Sequence, residues 1–285
     1  MDDWTPHVVW AVLVLALVLG LAAQRGPKRW PGGVAASDRA VALLVTAHPD
    51  DEIMFFLPAV RSLQAAGFDV SVLCLSNGEA TLAGWPECLP RGGYDGLGKT
   101  REKEAVACCT EVMGLKRALV RVLDDEALQD GPASPWAAKD VGAAVQAWVA
   151  ELEAGGKHRV EALVTFDDGG VSGHPNHIDT ARGVRALPPR DGQTVWELLS
   201  APVPVKFSGA IGAALALLLD SATTPAASAA PLKPGAVSLV GSVSPDMALA
   251  LHRGMQAHRS QYVWFRSLYV AFSRYAFVAG MRRLA

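Results

Sequence analysis

Short apolar runs at 41–46, 68–76, 118–124 and 161–167 alternate with longer segments, 53–66, 100–113 and 136–153, whose apolar residues recur at helical spacing. Strands this apolar have to be covered on both faces, and intervening helices can do the covering. The pattern predicts an α/β fold, Rossmann-like, with a mostly parallel sheet and helices on both faces. The chain has 285 residues, 51% of them hydrophobic and 19% charged. That is enough for one large domain with a substantial core and a short appendage. In such sheets ligands bind beyond the carboxyl ends of the strands, so the residues directly after each run are the first place to look for chemistry.

Two histidine clusters stand there. Ala47-His48-Pro49-Asp50-Asp51-Glu52 follows the first run, and His174-Pro175-Asn176-His177 follows the run that ends near Phe166. His48 and Asp51 are three apart across a proline, so a tight strand-to-helix loop lets both converge on one ion. Asp50 then lies beside the metal without having to ligate it, a position suited to general-base work. His174 and His177 are also three apart, so one can ligate while the other faces the substrate, and His177 is assigned as the ligand. Two imidazoles and one carboxylate suit zinc and leave a fourth position for a water whose pKa falls to about 7. Iron(II) or cobalt(II) would fit similar ligands. The competing reading is that the acidic residues cap a helix beginning near Ile53 and that the histidines are polar loop residues. The two clusters occurring together, each after a strand-like run, favour the metal site.

These motifs, with Arg101 to Glu104, Thr165-Phe166-Asp167, Gly170-Val171-Ser172-Gly173, His258-Arg259-Ser260-Gln261 and Trp264-Phe265-Arg266, resemble the PIG-L/LmbE-like zinc de-N-acetylases over most of the chain. The likeness is strongest to the eukaryotic branch, which acts on N-acetylglucosaminyl-phosphatidylinositol in glycolipid-anchor (GPI-anchor) synthesis. The resemblance implies an LmbE-like fold, zinc held by His48, Asp51 and His177, Asp50 as catalytic base, and His174 as the catalytic group that stabilises or protonates. It also implies a glycolipid substrate and the endoplasmic reticulum as the membrane. In the bacterial branch the second cluster commonly carries Asp where this chain has Asn176. An amide cannot raise the pKa of a neighbouring imidazole as a carboxylate would. His174 is then less basic, or Asp167 or Asp168 supplies the missing charge.

Three further residues are candidates for substrate binding. Arg101 has a planar fork that matches a phosphate or a carboxylate, with a surface pair to Glu104 as the alternative. Asp124, at the end of the third run, could bond sugar hydroxyls, whereas Asp125 and Glu126 read as solvated. Arg266 lies in an aromatic block over 261–281, too charged for an ordinary span, which either lies at a membrane interface or packs on the sheet. On the interface reading, Arg266 is the candidate for the inositol phosphate.

The apolar run over 8–23 reads as a transmembrane helix, short for a hydrocarbon core of about 27 Å, which needs roughly 18 helical residues. Trp4, Trp10 and Trp30 are possible interface anchors. Asp2 and Asp3 precede the run and Arg25, Lys28 and Arg29 follow it, which is the wrong order for a cleaved signal peptide and places the following domain in the cytosol. The expected organisation is a membrane anchor over 1–25, a linker over 26–38 and a catalytic domain over 39–285. The stretch 209–235 begins as an apolar helix too short to span and is expected to be mobile over about 220–235. Cys74, Cys88, Cys108 and Cys109 form no Cys-x-x-Cys pair and fit a reducing compartment. A net charge of -2 excludes non-specific nucleic-acid binding. Nothing in the pattern specifies an oligomeric state. Two rival functions remain open: deacetylation of another N-acetylglucosamine conjugate, and a non-enzymatic membrane scaffold.

Overall fold

The first apolar run becomes β1 (Ala40–Thr46), buried along its whole length, as a strand covered on both faces must be. The structure, a computed structural model, describes residues 15, 18–21, 30–33, 37–79, 96–131, 134–223 (backbone alone for 221–223) and 232–284. β1 pairs in parallel with β2 (Asp69–Cys74) on one side and with β4 (Arg159–Phe166) on the other. β3 (Val120–Val122) continues the parallel sheet beyond β2, and β5 (Thr194–Leu198) continues it beyond β4. β7 (Val278–Arg283) and β6 (Val237–Gly241) then add antiparallel pairs, giving the order β3-β2-β1-β4-β5-β7-β6. The expected parallel sheet is present over five strands. The antiparallel edge adds to it.

Helices cover the sheet as the alternation requires. The segment expected as one helix over 53–66 is two, α1 (Asp51–Met54) and α2 (Leu57–Ala65). Pro58 sits in the first turn of α2, where its missing N–H costs nothing, whereas inside a continuous helix it would break the ladder. α3 (Gly98–Ala107) runs into a π-helical turn over Cys108–Val112. Both cysteines of that turn, like Cys74, are buried free thiols; Cys88 lies outside the described residues. α4 (Ala138–Glu153), α5 (Gly170–Gly173) and α6 (Pro175–Arg185) follow, with α4 and α6 packed on each other and on β4. α7 (Val203–Lys206), α8 (Gly209–Thr223), α9 (Pro245–Ala257) and α10 (Trp264–Phe272) complete the described helices.

Strand order positions the site. The chain leaves β1 towards β2 but enters β4 on the opposite side of β1, so the connections diverge and open a crevice at the carboxyl ends of β1 and β4. Both histidine clusters follow these two strands.

Most of the expected anchor and linker lies outside the described residues, as do Trp4, Trp10 and residues 224–231 of the stretch 220–235. Residues 18–21 are helical, with Val18 and Leu19 packed on the core. Among the described residues no helix is long and apolar enough to cross a membrane. Trp30 is buried, its ring 4.9 Å from that of Trp196, and so is no interface anchor. The block 261–281 is not one helix either. α10 ends at Phe272, a 3-10 turn covers Arg274–Ala276, and β7 follows. Tyr275 and Phe277 belong to the core, while Trp264, Phe265 and Phe272 are exposed.

Candidate active site

Residue 50 marks where the chain bends to build the site. Asp50 adopts φ 107°, a conformation that costs a non-glycine residue of order 1–3 kcal/mol and persists where the surroundings enforce it. Its side chain makes no cap bond to α1, contrary to the capping alternative. The bend lets Asp51 fold back, so that its Oδ2 accepts from the backbone N–H groups of Ala47 (3.1 Å) and His48 (2.8 Å). Asp51 Oδ1 then lies 3.2 Å from His177 Nε2.

The hydrogen-bond partners of the two imidazoles assign their protons. His48 Nε2 faces two acceptors, Asp130 Oδ1 at 3.2 Å and Asn176 Oδ1 at 3.3 Å, so it carries the hydrogen. His177 Nδ1 donates to the Gly170 carbonyl at 3.1 Å, and its ring stacks on Phe166 at 4.2 Å. The remaining nitrogens, His48 Nδ1 and His177 Nε2, face each other at 3.2 Å, with Asp51 Oδ2 3.8 Å from the former. His48 Nδ1, His177 Nε2 and the Asp51 carboxylate therefore converge on one place, which either a shared proton or a cation can hold together. Tetrahedral zinc with bonds of 2.0–2.1 Å holds its ligand atoms about 3.3 Å apart, so the donor set fits such an ion. The electrostatics agree. Against desolvation, Asp130, Asp51 and Asp50 push His48 up to about 9, so the cluster demands a positive charge. Burial would raise Asp51, but His177 and His48 hold it below the usual carboxylate range.

Two predicted catalytic residues flank this trio. Asp50 is buried, which raises it to about 6 despite Arg266, whose Nη2 lies 3.0 Å from Asp50 Oδ2. His174 precedes α6, its ring 4.7 Å from His48 and 4.9 Å from His177. Burial and the two neighbouring imidazoles hold it down to about 4, so it is neutral at pH 7.

The acidic loop after β3 distributes its residues differently from expectation. Asp124 is half-exposed and paired with Lys99 at 3.2 Å, and Asp125 accepts from the N–H of Ala127. A 3-10 turn over Glu126–Leu128 carries the chain back, and Asp130 is the carboxylate that reaches His48. Arg101 donates to the Gly78 carbonyl. With His48 and His174 it also holds Asp130 below the usual range against burial.

Asn176 orients His48 rather than His174. Its Oδ1 receives the His48 bond while its Nδ2 donates to the Ser134 carbonyl at 3.0 Å, a donation that a carboxylate at this place could not make. Neither Asp167 nor Asp168 supplies charge to His174: Asp167 is bonded by Ser200 and by the N–H of Gly169, and Asp168 pairs with Arg185.

A second buried group, missed by the sequence reading, abuts the first. Glu52 Oε1 lies 2.7 Å from His258 Nε2, and Glu52 Oε2 accepts from the N–H of Asp50 at 3.1 Å. His258 thereby braces the strained bend. Its motif, His258-Arg259-Ser260-Gln261, was visible without a role; Ser260 in turn donates to Glu104.

The pattern for PIG-L, GlcNAc-PI de-N-acetylase, matches residues 43–187, the stretch that carries both histidine clusters. The chain belongs to this family. Within PIG-L relatives, N-acetylglucosaminyl-phosphatidylinositol de-N-acetylase of Bos taurus is 32% identical over 249 residues, covering 86% of this chain and 82% of that protein. The probable enzyme of the same name from Schizosaccharomyces pombe is 33% identical, covering 82% of each chain. The fold is shared with a deacetylase of the teicoplanin biosynthetic pathway, TM-score 0.53 at 14% identity, covering 85% of this chain and 96% of that one. It is also shared with N,N'-diacetylchitobiose deacetylase from Pyrococcus horikoshii, TM-score 0.50 at 15% identity, covering 100% and 94%.

Proposed function

We propose that the protein removes the acetyl group from N-acetylglucosaminyl-phosphatidylinositol, giving acetate and glucosaminyl-phosphatidylinositol, an early step of GPI-anchor synthesis. The observation that carries this reading is the trio of facing donors, His48, Asp51 and His177, with a buried carboxylate beside it. The names of the family relatives supply the substrate.

His48, Asp51 and His177 would hold the ion, and we take it to be zinc. Such an ion lowers the pKa of a water in its open position and polarises a carbonyl oxygen. Asp50 takes the proton from the attacking water, a task suited to a carboxyl raised to about 6. As the water oxygen bonds to the acetamide carbon, His174 donates its ring N–H to the developing oxyanion. The proton held on Asp50 then passes to the nitrogen, the C–N bond breaks, and the amine leaves with acetic acid, whose remaining hydroxyl proton, the second of the attacking water, is lost to the amine or to solvent to give acetate. Arg266 keeps Asp50 aimed through the 3.0 Å contact, while Asp130 and Asn176 fix the His48 ring. Arg101, beside Asp130, is assigned to the sugar side of the crevice. Asp124, in its surface pair, is the weaker candidate for that side.

We place the enzyme at the endoplasmic reticulum membrane, anchored by the apolar run over 8–23 with the catalytic domain in the cytosol. The support is the charge order around that run and the glycolipid in the relatives' names. Acetate release from N-acetylglucosaminyl-phosphatidylinositol, measured with a chelator and again after zinc is restored, tests the reaction. Release that stops and returns is the expected result. Release only from a water-soluble N-acetylglucosamine conjugate would overturn the substrate, and release unaffected by chelation would overturn the metal.

A further inference from the structure

Exposed large apolar side chains recur on two helices that pack on each other. On α8, Ile211, Leu215 and Leu219 recur every fourth residue and are exposed, Leu219 by 68%. On α10, Trp264, Leu268 and Phe272 recur at the same interval, Trp264 exposed by 77%. Side chains four apart share one side of a helix, so each helix presents an apolar stripe. Their other sides are occupied: α8 buries Ala213, Ala214 and Leu217, and α10 buries Tyr269. The two helices pack on each other, and the stripes belong to one neighbourhood. A soluble monomer rarely leaves such a patch uncovered, and patches of this kind mark contact with a partner or a membrane.

A groove of about 470 Å³ in the same region says which. Phe207, Phe265, Leu268 and Phe272 form its walls with Met54 and Tyr269, and Arg266 is the one charged lining residue among the described residues. The groove adjoins the active site. Arg266 contacts Asp50, the Tyr269 hydroxyl donates to the Met54 carbonyl at the end of α1, and the Phe55 ring lies 5.9 Å from both Tyr269 and His177. An apolar face whose groove is separated from the catalytic base by Arg266, which lines the groove and contacts Asp50, fits a substrate whose reacting sugar is tied to a membrane by acyl chains.

We propose that the face formed by α8 and α10 docks on a lipid bilayer, with its two apolar stripes in the acyl boundary and the groove turned towards the membrane. This rests on the glycolipid reading above. A short amphipathic helix can sit in a membrane surface without crossing it, and the face would present the crevice to substrate held in the leaflet, independently of any anchor at the N-terminus.

The test is made on the full chain in phosphatidylcholine/phosphatidylinositol vesicles. An environment-sensitive fluorophore is attached at L215C or L268C in a C88S background, with L249C on the exposed side of α9 as the reference. The expected result is a blue-shifted emission at 215 and 268 that lipids carrying a quencher suppress at least threefold more than emission at 249. Equal quenching at all three positions overturns the proposal. Shielding of 268 without vesicles, together with the mass of a dimer, also overturns it and assigns the face to a second copy. These readouts require no turnover, so they separate failure of the docking from failure of the deacetylase reading. In a second arm, L215D, on the stripe but outside the groove, is expected to raise KM for vesicle-borne substrate at least tenfold with kcat within twofold. An unchanged KM, at an unfolding midpoint equal to that of the parent, overturns the proposal as well.

Discussion

Asp51 and Glu52 are neighbours in the chain, both buried and both facing a histidine, yet they belong to clusters with opposite electrostatic outcomes. Around Asp51, His48 and His177 each spend one ring nitrogen on Asp130, Asn176 or Gly170 and turn the other towards the carboxylate and towards each other. Around Glu52, His258 directs Nε2 at the carboxylate over 2.7 Å, and the Glu52–His258 pair satisfies itself. Desolvation works against His258, but Glu52 raises it, while burial and Glu52 push the neighbouring Cys108 thiol up and keep it protonated. His48 and His177 with His174, and equally Glu52, Cys108 and His258, bring potential ligand atoms within 4.8 Å of one another. Proximity alone therefore does not identify a metal seat. What decides is where the ring nitrogens point: both of those on His258 face Glu52 or Gln261, whereas His48 and His177 turn one each towards Asp51.

The largest effects should come from the first cluster. H177A removes one converging donor and is expected to abolish both metal retention and acetate release, measured by metal analysis and product assay. D50N should keep the metal while turnover falls about 10²–10⁴-fold, the range for loss of a general base. Full activity in D50N would reassign the base. In the second cluster the expected loss is stability instead. E52A leaves buried His258 without its partner and should cost about 3–5 kcal/mol in denaturant unfolding, with one metal still bound by the folded fraction. Loss of the metal at unchanged stability would break the contrast.

Smaller effects sharpen it. D130N leaves the His48 ring without its charged acceptor and should weaken metal binding about 10–100-fold, read by competition with a chelating dye. C108A should leave metal content unchanged and cost about 1 kcal/mol. A drop in metal content would make that thiol a ligand.

Reading such a site from sequence works for residues whose geometry is local. His48 and Asp51 share one loop and His174 and His177 another, so spacing alone brought each pair together. Asp130 was not readable because three other acidic residues, Asp124, Asp125 and Glu126, stand nearer the strand end, and only the 3-10 turn decides which one returns to the crevice. The Glu52–His258 pair spans 206 positions and left no local signal. The fold divides similarly. β1, β2 and β4 are long and apolar, whereas β5 holds a buried Glu197 that is paired with Arg185 from α6 and Arg282 from β7. A charged residue in a five-residue run hides a strand until its partners are known. β7 was absorbed into an aromatic block whose first half alone is helical.

X-ray absorption at the zinc edge, on protein stripped of metal and reloaded with one equivalent of zinc, tests the contrast most directly. The expected shell contains nitrogen and oxygen only, with the signature of two imidazoles, as His48, Asp51 and His177 would give. A sulfur at about 2.3 Å would place the ion among Glu52, Cys108 and His258 and contradict the assignment of the site.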